Sequence, residues 1–413
     1  MRLFVTDIKS LKIIRFRIIN QSQKYPMRFA AFRFLVILTV LINIQTGFVC
    51  AQDSSRLRIS LLTCTPGDEL YSIFGHSAIR IIDSSNAGND YYDLVYNYGT
   101  FNFDDEGFYL KFMRGKLLYF ISLERFEDFR FLYQSTNRGI TEQLLYLSEK
   151  EKEGIQFVLN ENLKEENKYY KYDFFLDNCT TRLRDIIEKS KNPQPKFPAV
   201  MPGNTRFRQA IHQYLDSGKQ YWSKLGIDIL LGAKTDRVMT SREQQFLPDN
   251  LMMALEKSTP KMSLTTTNLY ILEQDNKKDN LFTPTLCFSL LLTFYFLISL
   301  SAKPFLQTML TGMDGLLFFL TGLLGVILLL MWFFTDHSMT KNNYNLLWAI
   351  PSHLVMSFFI SNRKKTVKLY FLFTSLLMAV VLAAWLFLPQ QMNNSLIPFV
   401  LLLMYRSAMR YYK

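Results

Sequence analysis

Five apolar runs in the last third of the chain restrict its fold more than any other feature. Four are about as long as a bilayer core requires, and the fifth is short and meets Arg406 early. The runs lie at about 281–302, 315–334, 345–361, 368–389 and 396–410. They predict an all-α polytopic membrane domain of about five spans over residues 281–413. In the fifth span we expect the Arg406 side chain to snorkel or the helix to tilt.

Basic residues in the loops of this region set its predicted orientation. If the preceding domain is exported, the first span runs inward and every basic cluster falls on the cytoplasmic side. The residues concerned are Lys303, Arg363, Lys364, Lys365, Lys368, Arg406, Arg410 and Lys413. The pattern predicts a multi-pass protein of the bacterial inner (cytoplasmic) membrane, with a cytoplasmic C-terminus and the middle of the chain in the periplasm.

The formal net charge of +12 would suit nucleic-acid binding, but its distribution argues against that function. Residues 1–51 hold 8 Lys or Arg and 1 acidic residue, and residues 281–413 hold 9 and 2. Residues 52–280 hold 30 basic and 32 acidic residues. The positive charge therefore belongs to the leader and the membrane region, and nucleic acid is not a predicted partner.

The N-terminus is typical of a leader, which we place at residues 1–51. Two arginines precede the apolar run 34–44, and the small-residue site Val49-Cys50-Ala51 follows it. This is the pattern of a secretory signal peptide with cleavage after Ala51. Because the pattern begins at Met27, that residue is the predicted true start.

Residues 52–257 are predicted to form an α+β domain, joined to the spans by a polar linker at 258–280. Alternating apolar residues predict strands at 57–64 and 93–98. A Ser cap followed by an acidic first turn predicts a helix at 148–162.

His76 and Cys179 are the residues of this domain best suited to catalysis. Cys179 follows Asp177-Asn178 at a predicted helix N-terminus, where the helix dipole lowers the pKa of a thiol. A nearby histidine can accept the thiol proton, and the helix amides can bind an oxyanion. The chain thus contains the residues that a thiol acyl-transfer enzyme needs.

Two other interpretations of this pair stay open from the residues alone. His76 could be a satisfied structural histidine, and Cys179 could form a disulfide with Cys64, as cysteines of exported proteins commonly do. The sequence has no close Cys/His cluster for a metal, no Gly-x-Ser-x-Gly elbow and no Gly-rich phosphate loop. Neither a metal nor a cofactor is therefore predicted.

Seven motifs together resemble the Lnb N-terminal periplasmic domain family. They are Thr63-Cys64-Thr65-Pro66-Gly67-Asp68-Glu69-Leu70, Phe74-Gly75-His76-Ser77-Ala78-Ile79-Arg80, Tyr96-Asn97-Tyr98-Gly99-Thr100-Phe101, Arg114-Gly115, Asp177-Asn178-Cys179-Thr180-Thr181-Arg182, Phe246-Leu247-Pro248 and Thr335-Asp336-His337. The resemblance covers roughly residues 55–413. It implies a lipoprotein N-acyltransferase, which moves an acyl chain from a membrane phospholipid to the α-amine of the N-terminal cysteine of a diacylated lipoprotein.

The order of the histidine before Asn-Cys is also similar to that in circularly permuted papain-like thiol enzymes. The lecithin:retinol acyltransferases are the best analogue, since they too take an acyl chain from a phospholipid onto cysteine. This resemblance implies Cys179 as nucleophile and His76 as base, with a thioester intermediate and ping-pong kinetics. A third residue that orients the imidazole is expected on a following strand, and Asp93 and Asn97 are the candidates.

Seven further residues are candidates for contact with the substrates. They are Asn178, Arg80, Arg114, Arg182, Asp336, His337 and His353. The arginines could bind phosphate, or they could serve as structural ion-pair partners. The Asp and the two His residues belong to the predicted outer loop and third span, where they could contact headgroups or the lipoprotein amine.

Two other functions use the same sequence features. A membrane-anchored papain-like peptidase or amidase of the cell wall would need the same His76 and Cys179. A non-enzymatic envelope assembly factor would instead contain a Cys64–Cys179 disulfide. Five spans favour the lipid substrate, because an amidase needs no more than an anchor.

Overall fold

The computed structural model describes residues 56–84, 92–271 and 281–412, and residues 56–412 belong to one compact unit. The predicted leader, its start at Met27 and its cleavage after Ala51 lie outside the described residues, as do residues 272–280 of the predicted linker.

A seven-stranded antiparallel sheet forms the centre of the first domain. Its strands are β1 Leu57–Cys64, β2 His76–Asp83, β3 Tyr92–Thr100, β4 Leu118–Arg125, β5 Ile140–Leu145, β6 Tyr169–Lys171 and β7 Ser263–Tyr270. Their order across the sheet is β6-β4-β3-β2-β1-β5-β7. The predicted strands at 57–64 and 93–98 are confirmed, and so is the sequence of a sheet-containing domain followed by a helical region.

Helices cover both faces of this sheet, because side chains along a strand alternate between the faces. The helices of the domain are α1 Phe108–Met113, α2 Phe126–Ser135, α3 Glu149–Leu163, α4 Glu165–Lys168, α5 Cys179–Ser190, α6 Phe207–Ser217, α7 Tyr221–Leu230 and α8 Pro248–Glu256. Leu61, Ile79 and Tyr96 face α3, α5 and α8 in the main core. Val95 and its neighbours on the opposite face pack against Phe129 of α2.

The predicted linker at 258–280 differs from the structure over 263–270. This stretch is β7, which pairs with β5 at the edge of the sheet. Its run of threonines is low in apolar residues, but β-branched side chains favour strands, and an edge strand needs only one buried end. The exposed middle of β7 explains why hydropathy missed it.

Helices make up the region that follows the described end of β7. They are α9 Pro284–Ser299, α10 Pro304–Phe333, α11 Ser352–Met356, α12 Lys365–Ala383 and α13 Ile397–Tyr412. Two of them, α10 and α12, are long and apolar enough to cross a membrane, and α9 is a shorter apolar helix. Single 3₁₀ turns lie at Ala233–Asp236, Glu243–Phe246, Ser338–Thr340, Tyr344–Leu347, Ser357–Phe359 and Asn394–Leu396.

The predicted third span, 345–361, is not one continuous helix. It consists of short helical pieces that are interrupted near Pro351. Proline interrupts a helix because it has no backbone N–H to donate to the preceding turn. These pieces pack with backbone contact against two glycines of α10. A Cβ on Gly322 would lie 2.0 Å from the Leu354 nitrogen, and one on Gly325 would lie 2.1 Å from the Ala349 oxygen.

The stretch 303–314, between the first two predicted spans, is almost entirely helical, since α10 begins at Pro304. This extension places Asp314 inside the bundle, where its carboxylate binds Arg406 of α13 with nitrogen–oxygen distances of 2.8 and 2.9 Å. Arg410 binds the same carboxylate. The expected snorkelling of Arg406 was therefore wrong: the side chain is fully buried and paired.

Hydrogen bonds join the sheet domain to the segments that follow α10 and α12 in the helical region. The Gly232 and Ala233 amides donate to the Met339 and Asn342 carbonyls at 2.8 and 3.0 Å. Asp228 at the end of α7 accepts from Asn393 at 2.9 Å through its carboxylate. The two parts of the chain are thus held together by specific polar contacts.

Candidate active site

The thiol of Cys179 sits on the first residue of α5, which begins there because Asn178 caps it. The Asn178 side chain accepts from the Thr181 amide at 2.8 Å, and the Thr181 hydroxyl accepts from the Asn178 amide at 2.8 Å. This reciprocal capping fixes the helix start at the residue before the cysteine. The cap engages the Thr181 amide and leaves the Cys179 and Thr180 amides of the first turn to other acceptors.

The remaining bonds of Asn178 anchor the helix start to the rest of the domain. Its amide nitrogen donates to the Phe174 and Phe246 carbonyls, both at 2.8 Å. Both N–H groups and the oxygen are thereby engaged inside the protein. The structure gives this predicted substrate-binding residue a positioning function.

His76 is the first residue of β2, and a tight turn brings it to the start of α5. Gly75 has φ of +78°, and a Cβ there would lie 2.7 Å from the Cys64 carbonyl oxygen, so glycine is required. The Ser77 and Thr180 hydroxyls, each next to a member of the pair, are hydrogen-bonded at 3.0 Å. This bond ties the start of the strand to the start of the helix.

Asn97 on the neighbouring strand β3 holds the imidazole. Its Oδ1 lies 3.0 Å from His76 Nε2, and because an amide oxygen only accepts, Nε2 carries the proton. Nδ1 is the ring nitrogen left to face the thiol. Asn97 in turn donates from Nδ2 to Glu124 of β4, so its own orientation is fixed.

The other candidate for the third residue, Asp93, lies elsewhere. Its carboxylate forms a bidentate pair with Arg80, with distances of 2.7 and 2.6 Å. It is four residues before Asn97 on β3, which corresponds to about 13 Å along a strand. The structure thus brings Asn97 to the imidazole and Asp93 to an arginine.

Burial and the histidine act in opposite directions on the thiol of Cys179. Burial alone would raise its pKa, but the charge and hydrogen bond of His76, the Ser77 amide and the Thr180 hydroxyl lower the pKa to about 7. The pKa of His76 is raised, because the effect of burial is outweighed by the Cys179 thiolate and the Asn97 bond. The arrangement favours a thiolate–imidazolium pair near neutral pH.

Cys64 provides an internal contrast. It is a free thiol, as are Cys179 and Cys287 among the described residues, so the structure does not contain the disulfide considered above. Burial raises the pKa of Cys64 to about 12. Two buried cysteines of one domain therefore differ in their readiness to ionise.

We expect iodoacetamide to modify Cys179 with a rate that rises through a midpoint near pH 7, because only the thiolate reacts. Cys64 should stay unmodified between pH 6 and 9 in the folded protein, since its pKa is about 12. Peptide mass mapping against pH measures both sites, with Cys179→Ala as the control. A midpoint near 9, or equal labelling of Cys64, would contradict the thiolate assignment.

The three arginines proposed for phosphate binding form contacts within the protein. Arg80 binds Asp93 and Glu142 and lies over the Phe126 ring. Arg182 pairs with Asp177 and stacks 3.5 Å from the centre of the Tyr170 ring. Arg114 is exposed, and its carbonyl accepts from the Asp336 amide. The alternative that these arginines are structural ion-pair partners therefore fits Arg80 and Arg182.

Asp336 and His337 attach the C-terminal end of α10 to the sheet domain. Asp336 pairs with Lys171 of β6 at 2.8 Å, and His337 Nε2 donates to the Phe112 carbonyl at 3.1 Å. The next residue, Ser338, donates to Asp173 at 2.6 Å, in the loop that leads to Cys179. His353 lies apart, on α11, with Nδ1 at 2.5 Å from the Tyr370 hydroxyl of α12.

Sequence reasoning missed Glu124, Ser77 and Thr180. Ser77 follows His76 and Thr180 follows Cys179 in the sequence, so their positions beside the predicted catalytic pair could have indicated them. Glu124 has no such signal, because it reaches Asn97 only through the pairing of β3 with β4.

Two family models match the chain. The Lnb N-terminal periplasmic domain matches residues 50–209, and the Lnb transmembrane domain matches residues 275–413. No curated protein and no solved structure matches it. The first match contains His76, Asn97 and Cys179, and the second contains all the helices from α9 onward. The chain therefore belongs to the Lnb family, as a membrane protein with a periplasmic domain ahead of its transmembrane domain.

Proposed function

We propose that this protein is a lipoprotein N-acyltransferase that works through a thioester on Cys179. The acyl donor is a membrane phospholipid, and the acceptor is the α-amine of the N-terminal cysteine of a diacylated lipoprotein. The observation that carries the proposal is the geometry of Cys179, His76 and Asn97 in a family whose membership suggests lipoprotein N-acylation. Neither a metal nor a cofactor takes part.

The first half-reaction acylates the enzyme. The Cys179 thiolate attacks an ester carbonyl of the phospholipid and forms a C–S bond. The ester C–O bond breaks, and the leaving lysophospholipid oxygen takes the proton from the His76 imidazolium. We assign stabilisation of the oxyanion to the Ser77 amide, which also donates to the Cys179 sulfur, and to the amides of the first turn of α5.

The second half-reaction acylates the lipoprotein. Its α-amine attacks the thioester carbonyl, His76 accepts the amine proton, and the Cys179 thiolate leaves with the ion pair restored. Asn97 keeps the imidazole oriented through both steps, as the third member of a thiol triad. Glu124 supports Asn97 from behind.

The order of the catalytic residues supports a permuted papain-like arrangement. A helix that begins with the nucleophile meets an antiparallel sheet that supplies the histidine and then the asparagine. Cysteine comes last along the chain, as in the circularly permuted enzymes named above.

The membrane region gives this chemistry its location. We propose five crossings: α9, α10, the broken segment that contains α11, α12 and α13. The basic loops favour a cytoplasmic C-terminus and a catalytic domain on the periplasmic face of the inner membrane. A site held at the bilayer surface excludes water, which would otherwise hydrolyse the thioester.

The proposal is tested in cells that lack their own lipoprotein N-acylation. Mass spectrometry of the N-terminal peptide of an abundant lipoprotein should show one added acyl chain with the wild type. Cys179→Ala and His76→Ala should give no detectable addition at equal expression, because removing a general base alone costs about 10²–10⁴ in rate. Cys64→Ala is the matched control and should retain acylation.

The same experiment separates the alternatives. If the Cys179→Ala variant still adds an acyl chain to the lipoprotein, the thioester mechanism is excluded. No addition by folded wild type, together with Cys179-dependent changes in cell-wall peptides, would identify the amidase function instead.

A further inference from the structure

We propose that residues 101–118, here called the aromatic segment, lie in the periplasmic interface of the bilayer and lead a phospholipid acyl chain to Cys179. The acyl-chain part of this inference rests on the proposed function, whereas the membrane contact does not. The helix α1 lies within the segment, and five of its six residues are Phe, Tyr, Leu or Met.

The aromatic segment exposes six large apolar side chains, and groups of exposed apolar side chains mark interaction sites on protein surfaces. Tyr109 is 75% exposed, and Phe103, Leu110, Phe112, Met113 and Leu118 are each about half exposed or more. Only Phe108 of α1 is buried. A continuous patch of this kind is typical of an element that binds a lipid surface.

The depth of the segment follows from its contacts with the outer end of α10. The Arg114 carbonyl accepts from the Asp336 amide at 2.9 Å, and the Phe112 carbonyl accepts from His337 at 3.1 Å. Gly115 leaves room for this contact, since a Cβ there would lie 3.1 Å from the His337 nitrogen. These partners come directly after Trp332-Phe333-Phe334, at the end of a helix long enough to span.

Trp and Tyr at the end of a spanning helix mark the level of the headgroups, and Trp332 is such a residue, one position before the end of α10. Phe333 and Phe334 are themselves exposed, at 66% and 70%. Because α1 is hydrogen-bonded within a few residues of them, its exposed side chains lie at the same level. The patch therefore continues a membrane-facing surface, and the partner that fits it is lipid.

A row of aromatic rings, each in contact with the next, extends from this patch toward Cys179. Phe108 lies 5.8 Å from Phe101, Phe101 lies 5.4 Å from Tyr119, and Tyr119 stacks on Tyr172 at 4.5 Å, measured between ring centres. Gly99 stands between the last ring and the thiol. A Cβ on it would lie 3.5 Å from Tyr172 and 3.7 Å from the Cys179 Cβ.

This arrangement supplies an apolar path from the bilayer to Cys179. An acyl chain that leaves the leaflet at α1 meets rings along the path, and its ester carbonyl can arrive where Gly99 leaves room beside the thiol. Gly99 has φ of +91°, which favours glycine independently of its neighbours.

The membrane contact is tested without turnover. A spin label is attached at Tyr109→Cys in full-length protein whose Cys50, Cys179 and Cys287 are replaced by Ala, reconstituted in nanodiscs of phosphatidylethanolamine and phosphatidylglycerol. The matched control is Phe131→Cys, which is 72% exposed but belongs to α2 on the opposite face of the sheet. We expect the Tyr109 label to collide with oxygen in preference to a water-soluble nickel complex, and the Phe131 label to show the reverse.

The proposal is overturned if the Tyr109 label is as open to the nickel complex as the Phe131 label. It is also overturned if the label is shielded from both relaxers, since a second protein copy would then cover the patch. Failure of the proposed function would leave this measurement unaffected, because the labelled protein lacks Cys179.

A second measurement tests the path to the thiol. The double variant Tyr109→Ser, Met113→Ser should lower acylation of Cys179 by nanodisc phospholipid about tenfold, since less apolar area holds the segment in the leaflet. Alkylation of Cys179 by iodoacetamide should be unchanged, as should both reactions in Phe131→Ser. Equal acylation by the double variant and the wild type would overturn the path.

Discussion

Phospholipid added without an acceptor amine will leave an acyl chain on Cys179. The thiolate–imidazolium pair can complete the first half-reaction alone, and the thioester then persists because no amine is present to attack it. Intact-protein mass should increase by one acyl group, hydroxylamine should remove it, and peptide mapping should place it on Cys179. In Cys179→Ser the rate should fall at least about a thousandfold, because a serine hydroxyl is a far weaker nucleophile at neutral pH.

The control for this experiment is Cys64→Ala. Cys64 is also buried, on the strand that pairs with β2, but its pKa of about 12 keeps it protonated. The variant should acylate at a rate close to that of the wild type. An acyl group found on Cys64, or an ester on another residue in Cys179→Ser, would contradict the assignment of the nucleophile.

Arg208→Met is expected to destabilise the domain by about 3–5 kcal/mol. The Arg208 guanidinium is fully buried and binds Asp228 at 2.8 Å and Asp236 at 2.9 Å. Its remaining donors reach the Thr235 hydroxyl and the Leu231 and Gly232 carbonyls. Removing it leaves two buried carboxylates without their shared cation.

The effect should extend beyond the domain itself. Asp228 also accepts from Asn393, and its carbonyl accepts from Asn345, so the same cluster joins α7 to the segments that follow α10 and α12. Thermal unfolding in detergent should show a midpoint lower by about 10 °C. Acyl-transfer activity should fall in step with the loss of folded protein.

The matched control is Arg237→Met. Arg237 is half exposed and pairs with Glu243 at the surface, so its loss should cost no more than about 1 kcal/mol. If Arg208→Met unfolds at the temperature of the wild type, or no lower than Arg237→Met, the buried cluster does not stabilise the protein as argued.

Local features of the sequence were sufficient for much of the fold and part of the site. The Ser cap and acidic turn of α3 and the Asn178 cap of α5 act within one helical turn. The alternation in β1 likewise needs no partner to be recognised. His76 and Cys179 could be named because each lies in a distinctive short motif, although nothing local shows that they meet.

Pairings across the fold could not be predicted in this way. Asp93 and Asn97 lie on the same face of β3 and are equivalent in the sequence, and the pairing of β2 with β3 decides which one reaches the imidazole. Likewise, the Nε2 of His212 lies 2.8 Å from the Asp228 carboxylate, a contact that no local sequence pattern indicates. Both outcomes depend on residues distant in the chain.

Hydropathy, charge and capping are properties of neighbouring residues and can be recognised without knowledge of the fold. They were sufficient to predict a largely neutral mixed domain, an apolar helical region and a cysteine at a helix start. Three further outcomes appear only in the folded chain: Asn97 orients His76, Arg406 pairs with Asp314, and residues 345–361 form broken helices. Those outcomes arise from strand register, buried charge pairing and backbone contact, each of which requires segments far apart in sequence to meet.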